Sequence, residues 1–111
     1  MKDGTYRVHF STPNGAVGGG MVKVVGGVIF GADCGFMYSG TTNRDGSNVR
    51  GVIEVQRHSQ GRRSVIENVN QNYSIEVAGE STDDSFHLRG SVVGAPSSLI
   101  GIVGWLQNNG R

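Results

Sequence analysis

A chain of 111 residues with 19 glycines and 2 prolines has room for one domain and one core. Its glycines sit among apolar residues, unlike those of a disordered proline- and serine-rich tract. Ten Lys and Arg against nine Asp and Glu give a formal charge of +1, without the basic surplus of a dedicated nucleic-acid binder, and no apolar run approaches the ~20 residues of a membrane helix.

The opening MKDGTYRVHF lacks an apolar leader stretch, so no signal peptide is expected, and a lone cysteine, Cys34, fits a reducing cytoplasm. Alternation predicts a first strand over Thr5–Ser11, with Tyr6, Val8 and Phe10 facing one way and Thr5, Arg7 and His9 the other. Pro13-Asn14-Gly15 supplies turn residues. The run from Gly18 to Gly40 organises the rest of the chain. Its β-branched residues predict strands over Ala16–Val25 and Val28–Ala32, reversed at Gly26-Gly27, where paired glycines provide the positive φ of a two-residue hairpin.

A fourth strand is expected over Gly35–Thr42, with Phe36, Tyr38 and Gly40 on one face. Arg44-Asp45-Gly46-Ser47 then reads as a hairpin with a type I′ turn at Asp-Gly. The fifth strand, Asn48–His58, turns Val49, Ile53 and Val55 inward and Arg50, Glu54 and Gln56 outward, with Val52 an apolar exception outside. Ser59–Gln71 keeps neither period and reads as a loop that tucks Val65 and Ile66 against one barrel end. A sixth strand comes next over Asn72–Ala78, then a polar turn over Gly79–Asp84 and a seventh strand over Ser85–Val93. Gly94-Ala95-Pro96-Ser97 breaks that strand. The eighth spans Ser98–Gln107, and 108–111 is a tail.

Eight strands at roughly 12–14 residues per strand and turn, with short connections and no amphipathic helix, predict an all-β fold. An antiparallel up-and-down barrel over residues 1–107, of calycin or lipocalin type with one end plugged by a loop, removes the free edges that so apolar a sheet would otherwise expose. The eighth strand is apolar on both faces: Leu99, Val103 and Trp105 on one, Ile100, Ile102 and Leu106 on the other. One face fills the barrel. The other is expected to form a homodimer seam, assigned to Ile100, Ile102 and Leu106.

Chemistry is sparse. His9, His58 and His87 each lie opposite their strand's apolar set with no second ligand at metal spacing, so no metal or cofactor is expected. No serine sits on a Gly-x-Ser-x-Gly elbow, and no enzyme is expected. Gly18-Gly19-Gly20-Met21-Val22-Lys23 lacks the Ser or Thr and the helix that a phosphate loop needs after its lysine. Arg62-Arg63 reads as a solvated basic spot. The remaining candidate is the interior, where Phe10, Phe36, Tyr38, Phe86 and Trp105 could line a pocket for a small apolar or lipid-like ligand.

MKDGTYRVHF, the hairpin Gly20–Phe30, Gly31-Ala32-Asp33 leading into Met37-Tyr38-Ser39-Gly40, the run Gly51–Arg57 and Asn72-Tyr73-Ser74-Ile75 together resemble the GrlR family. Its named member is a negative regulator of a bacterial type III secretion locus. The resemblance, from Met1 to about Gln107, implies a calycin-like eight-stranded barrel, dimeric through barrel-to-barrel apolar contact and plugged at one end. It also implies a cytoplasmic protein that binds a helix-turn-helix transcriptional activator and keeps it from DNA without touching nucleic acid itself. The partner-binding residues are then expected at Asn43, Arg44, Asp45, Ser47, Asn48, Arg62 and Arg63. The named regulator carries an acidic loop between its fourth and fifth strands. Thr42–Asn48 here holds one acid and one arginine, so steering of a basic partner by that loop would be lost or reversed.

Overall fold

A computed structural model describes residues 1–15, 17–32, 36–57 and 72–107. Eight strands run in chain order: β1 (Gly4–Ser11), β2 (Val17–Val25), β3 (Val28–Ala32), β4 (Phe36–Asp45), β5 (Asn48–Arg57), β6 (Tyr73–Ser81), β7 (Ser85–Val92) and β8 (Ala95–Leu106). Each pairs antiparallel with its sequence neighbours, and β8 returns to β1 with Tyr6 opposite Leu106 and Ser11 opposite Gly101. The sheet closes into an up-and-down barrel. Each described strand has a hydrogen-bonded neighbour on both sides, although Val17–Gly20 of β2 lie beyond the described β2–β3 pairing.

Period-two alternation sorts the side chains. Every strand contributes to the buried apolar cluster, from Tyr6 and Val8 on β1 to Ile100 and Ile102 on β8. The β2–β3 reversal uses Gly26 at φ 58° and Gly27 at φ 84°, a conformation that side chains with a Cβ rarely adopt. A Cβ on Gly27 would also lie 2.9 Å from the Thr42 carbonyl oxygen, while Thr42 donates its backbone N–H and its hydroxyl to the Gly27 oxygen, each at 2.8 Å. This contact ties the hairpin to β4.

Three boundaries differ from the sequence reading by three residues each, and several others by one. β4 runs to Asp45 because Asn43, Arg44 and Asp45 pair with Arg50, Val49 and Asn48, which leaves Gly46-Ser47 as the turn. Asp-Gly therefore straddles the turn's first boundary, with Gly46 at φ 63°. β6 extends to Ser81 because Gly79–Ser81 pair with Leu88, His87 and Phe86, leaving only 82–84 to reverse the chain. β8 begins at Ala95, not Ser98. Its ladder slips between Ser91, opposite Leu99, and Val92, opposite Ala95, and the intervening stretch accommodates Pro96, which has no N–H to donate. The predicted plug Ser59–Gln71, with Cys34, His58 and the 108–111 tail, lies outside the described residues.

The end of the barrel carrying the β2–β3, β4–β5 and β6–β7 turns is closed by the chain's start. Met1 packs on the core, the Lys2 N–H donates to the Asp83 carbonyl at 2.9 Å, and the Gly26 N–H donates to Asp3 Oδ1 at 3.0 Å. Beneath them the fully buried Tyr6 places its hydroxyl 2.8 Å from the Lys2 carbonyl oxygen and 3.3 Å from that of Asp83. Burial pushes the Tyr6 phenol above its ordinary range, with Asp84, Asp3 and Asp83 adding to the rise and the hydrogen bond to Lys2 opposing it. The terminal ammonium is held below its ordinary value by burial and then by Arg44, with Asp83 opposing. The strand sequence thus places any ligand cavity toward the opposite end.

Candidate functional site

The barrel interior keeps a cavity beside its packed core. About 70 Å³ of free space remains, bordered by Phe10, Phe36, Tyr38 and Phe86 as the alternation implies, and also by Tyr73 and the aliphatic inward residues of the other strands. The Phe10 and Tyr38 rings meet across the lumen with centroids 5.3 Å apart, and Phe86 lies 5.3 Å from Tyr6. This space lies toward the end at which β5 finishes and β6 begins. One water needs ~10–15 Å³ of such space, so the lumen has room for roughly five to seven waters or one small apolar molecule. A lipid tail therefore does not fit without displacement of side chains.

Strand β8 is turned the other way from the predicted assignment. Ile100 and Ile102 are buried in the core and Leu106 packs against it, so none of the three is available as a barrel-to-barrel seam. Trp105, predicted to line the pocket, is 45% exposed and stands outside, edge-on to His9 with centroids 5.6 Å apart. The reason is register. Gly104 lies opposite both Val8 and Phe86, and a Cβ there would come within 2.3–2.8 Å of the Phe86 ring. The ring occupies the space over this glycine, which fixes Ile100, Ile102 and Leu106 inward and Leu99, Val103 and Trp105 outward.

The outer surface divides into two apolar regions. On β2 to β5, three rows cross the strands: Met21-Ala32-Met37-Gln56, Lys23-Phe30-Ser39-Glu54 and Val25-Val28-Thr41-Val52. Met21, Val25, Val28, Phe30, Met37 and Val52 are each 40–52% exposed here. Sequence reasoning noted only Val52. The others obey the same period-two rule, because inward Val22, Val24 and Ile29 force their neighbours out. The second region is the β8 ridge Leu99, Val103 and Trp105, bordered by Arg7 and His9 on β1 and by His87 and Arg89 on β7.

The predicted partner loop is the β4–β5 hairpin. Asn43, Arg44, Asp45, Ser47 and Asn48 are all exposed on it, whereas Arg62 and Arg63 lie outside the described residues. His9 and His87 are exposed, and His87 stands opposite Glu80 and Val103. Among the described residues, no three His, Cys, Asp or Glu side chains are grouped to hold a metal ion, and no helix is long and apolar enough to cross a membrane. Compared with models of known protein families and with curated proteins, the chain matches none.

Proposed function

We propose that this protein is a non-enzymatic, GrlR-like regulatory protein of the cytoplasm that works by protein–protein binding as a homodimer. The observation that carries the reading is the exposed apolar surface of β2 to β5, where six large side chains stand half out of water on four adjacent strands. The partner proposed on the sequence resemblance is a helix-turn-helix transcriptional activator, held away from its DNA in the manner of type III secretion regulators. The exposed hairpin Asn43–Asn48 is the loop offered to it.

The dimer seam in this reading moves from β8 to the β2–β5 face. A two-fold axis parallel to the strands, passing between β3 and β4, lays β3 of one copy over β4 of the other and β2 over β5. Each row then meets its own reverse. Lys23 faces Glu54 of the second copy, Val25 faces Val52, Ala32 faces Met37 and Phe30 faces Ser39. The charges are self-complementary, as an isologous interface requires, and Val25–Val52 and Ala32–Met37 meet apolar to apolar, while Met21, Phe30 and Val28 meet the uncharged polar Gln56, Ser39 and Thr41.

The test is affinity capture of the tagged full chain from its native cytoplasm, followed by native mass spectrometry. A dimer carrying a stoichiometric DNA-binding protein supports the proposal. A monomer emerging with a small bound amphiphile and no protein overturns it. That outcome favours a second reading, an apolar-ligand barrel, for which the lumen between Phe10, Tyr38 and Tyr73 is the supporting observation.

A further inference from the structure

From the charge pattern around β8 we infer that the ridge Leu99–Val103–Trp105 is a docking surface for an acidic amphipathic segment of a partner protein. The inference rests on the protein-binding reading above and names a second surface for it, separate from the proposed dimer seam. The ridge is one strand wide and, from Leu99 to Trp105, about 20 Å long at ~3.3 Å per residue. Gly101 interrupts it and leaves a notch between Leu99 and Val103. A helix of about 13 residues has the same length, and its apolar positions at i, i+7 and i+11 share one face with gaps of about 10.5 and 6 Å, against about 13 and 7 Å along the ridge.

The borders decide the partner's charge. On β1 the outward residues are Thr5, Arg7, His9 and Ser11; on β7 they are Ser85, His87, Arg89 and Ser91. Arg7 lies directly across from Trp105, and Arg89 directly across from the Gly101 notch. No acid stands on either bordering strand. The nearest are one strand further out, Glu76 and Glu80 on β6, and at the turn below, Asp83 and Asp84. A second copy laid on this face by a two-fold axis along β8 would set Arg7 against Ser85, His9 against His87 and Arg89 against Ser11, offering neither arginine a carboxylate, so charge does not favour self-association here. An amphipathic helix with Glu or Asp flanking its apolar line meets the arginines on both sides. A membrane surface fits less well, because a ridge one side chain wide and framed by polar groups offers little apolar area to bury.

Trp105 is the chain's only tryptophan, so its emission reports this surface alone. The full-length protein would be titrated with an acidic amphipathic helical peptide built from Leu and Glu, with the same apolar pattern carrying Lys as a control. Vesicles of mixed zwitterionic and anionic phospholipid serve as a third probe. The expected result is a saturable blue shift with the acidic peptide only, weakened about ten-fold in the double variant Arg7→Glu/Arg89→Glu, which should now favour the Lys peptide. Both arginines are exposed, so this variant is expected to fold, and its circular dichroism checks that.

Equal response to the two peptides, or none, overturns the inference. So does a response to vesicles alone, which would make the ridge a membrane contact. Affinity capture separates this inference from its premise. If wild type and the double variant retain the same protein partner equally, the regulatory reading stands and the β8 docking surface falls.

Discussion

The proposed seam makes a charge-swap prediction. In the two-fold arrangement every contact occurs twice, so Lys23→Glu alone turns two Lys23–Glu54 attractions into two repulsions. An exposed pair contributes about 0.5 kcal/mol and a like-charged pair costs a similar amount, so the four changes total about 2 kcal/mol, or roughly 30-fold in dimer Kd. Glu54→Lys alone should do the same. The double swap Lys23→Glu/Glu54→Lys restores opposite charges at both places and should return the dimer to near its original strength. Sedimentation equilibrium over a dilution series, at low salt so that exposed charges are not screened, measures all four proteins. If the double variant is as weakly associated as either single one, the register is refuted. If neither single variant dissociates the dimer, β2 to β5 is not the seam.

The interior gives three further expected outcomes. Gly104→Ala drives a methyl into the Phe86 ring, which is 2% exposed and sandwiched toward Tyr6, so overpacking should cost about 1–3 kcal/mol and lower Tm by about 5–15 °C. Adding Phe86→Leu should recover part of that loss, and strictly additive effects in the double variant would contradict the contact. Tyr6→Phe removes the hydroxyl at the closed end and should cost about 1 kcal/mol at neutral pH. Because the folded phenol is raised, its contribution is complete below the unfolded chain's pKa of about 10 and is lost as pH climbs past that point; urea midpoints from pH 8 to 11 should fall less steeply in the variant. Benzene, small enough for the lumen, should raise Tm, whereas a long-chain fatty acid should leave it unchanged; a fatty-acid shift would show that the side chains yield.

The barrel was legible because nearly every strand alternates. Tyr6-Val8-Phe10, Val49-Ile53-Val55 and Phe86-Leu88 face inward as period two requires, and Gly26-Gly27 marks its turn unambiguously. β8 was opaque for the same reason that the others were clear: with Leu99, Ile100, Ile102, Val103 and Trp105 all apolar, hydrophobicity does not choose a face. The choice comes from Gly104 beneath the Phe86 ring, a contact between strands that no local pattern reports. The strand ends beyond Thr42 and Ala78 were missed because Asn43–Asp45 and Gly79–Ser81 have turn composition yet pair in the ladder. Tertiary pairing overrides propensity there.

Closure of the barrel also restricts how this protein can recognise anything. With β1 paired to both β2 and β8, every described strand has a neighbour on both sides, which leaves little edge for a peptide to join by strand addition. With about 70 Å³ inside, the lumen takes at most a small apolar molecule. What remains is side chains on the outside. There, the apolar surface comes in two parts whose borders differ in charge: Lys23 and Glu54 flank one symmetrically, whereas the flanks of the other carry Arg7 and Arg89 with no acid. The first suits an identical copy and the second does not. A dimer formed on β2 to β5 therefore leaves both β8 ridges exposed, one on each protomer, available to a partner of opposite charge.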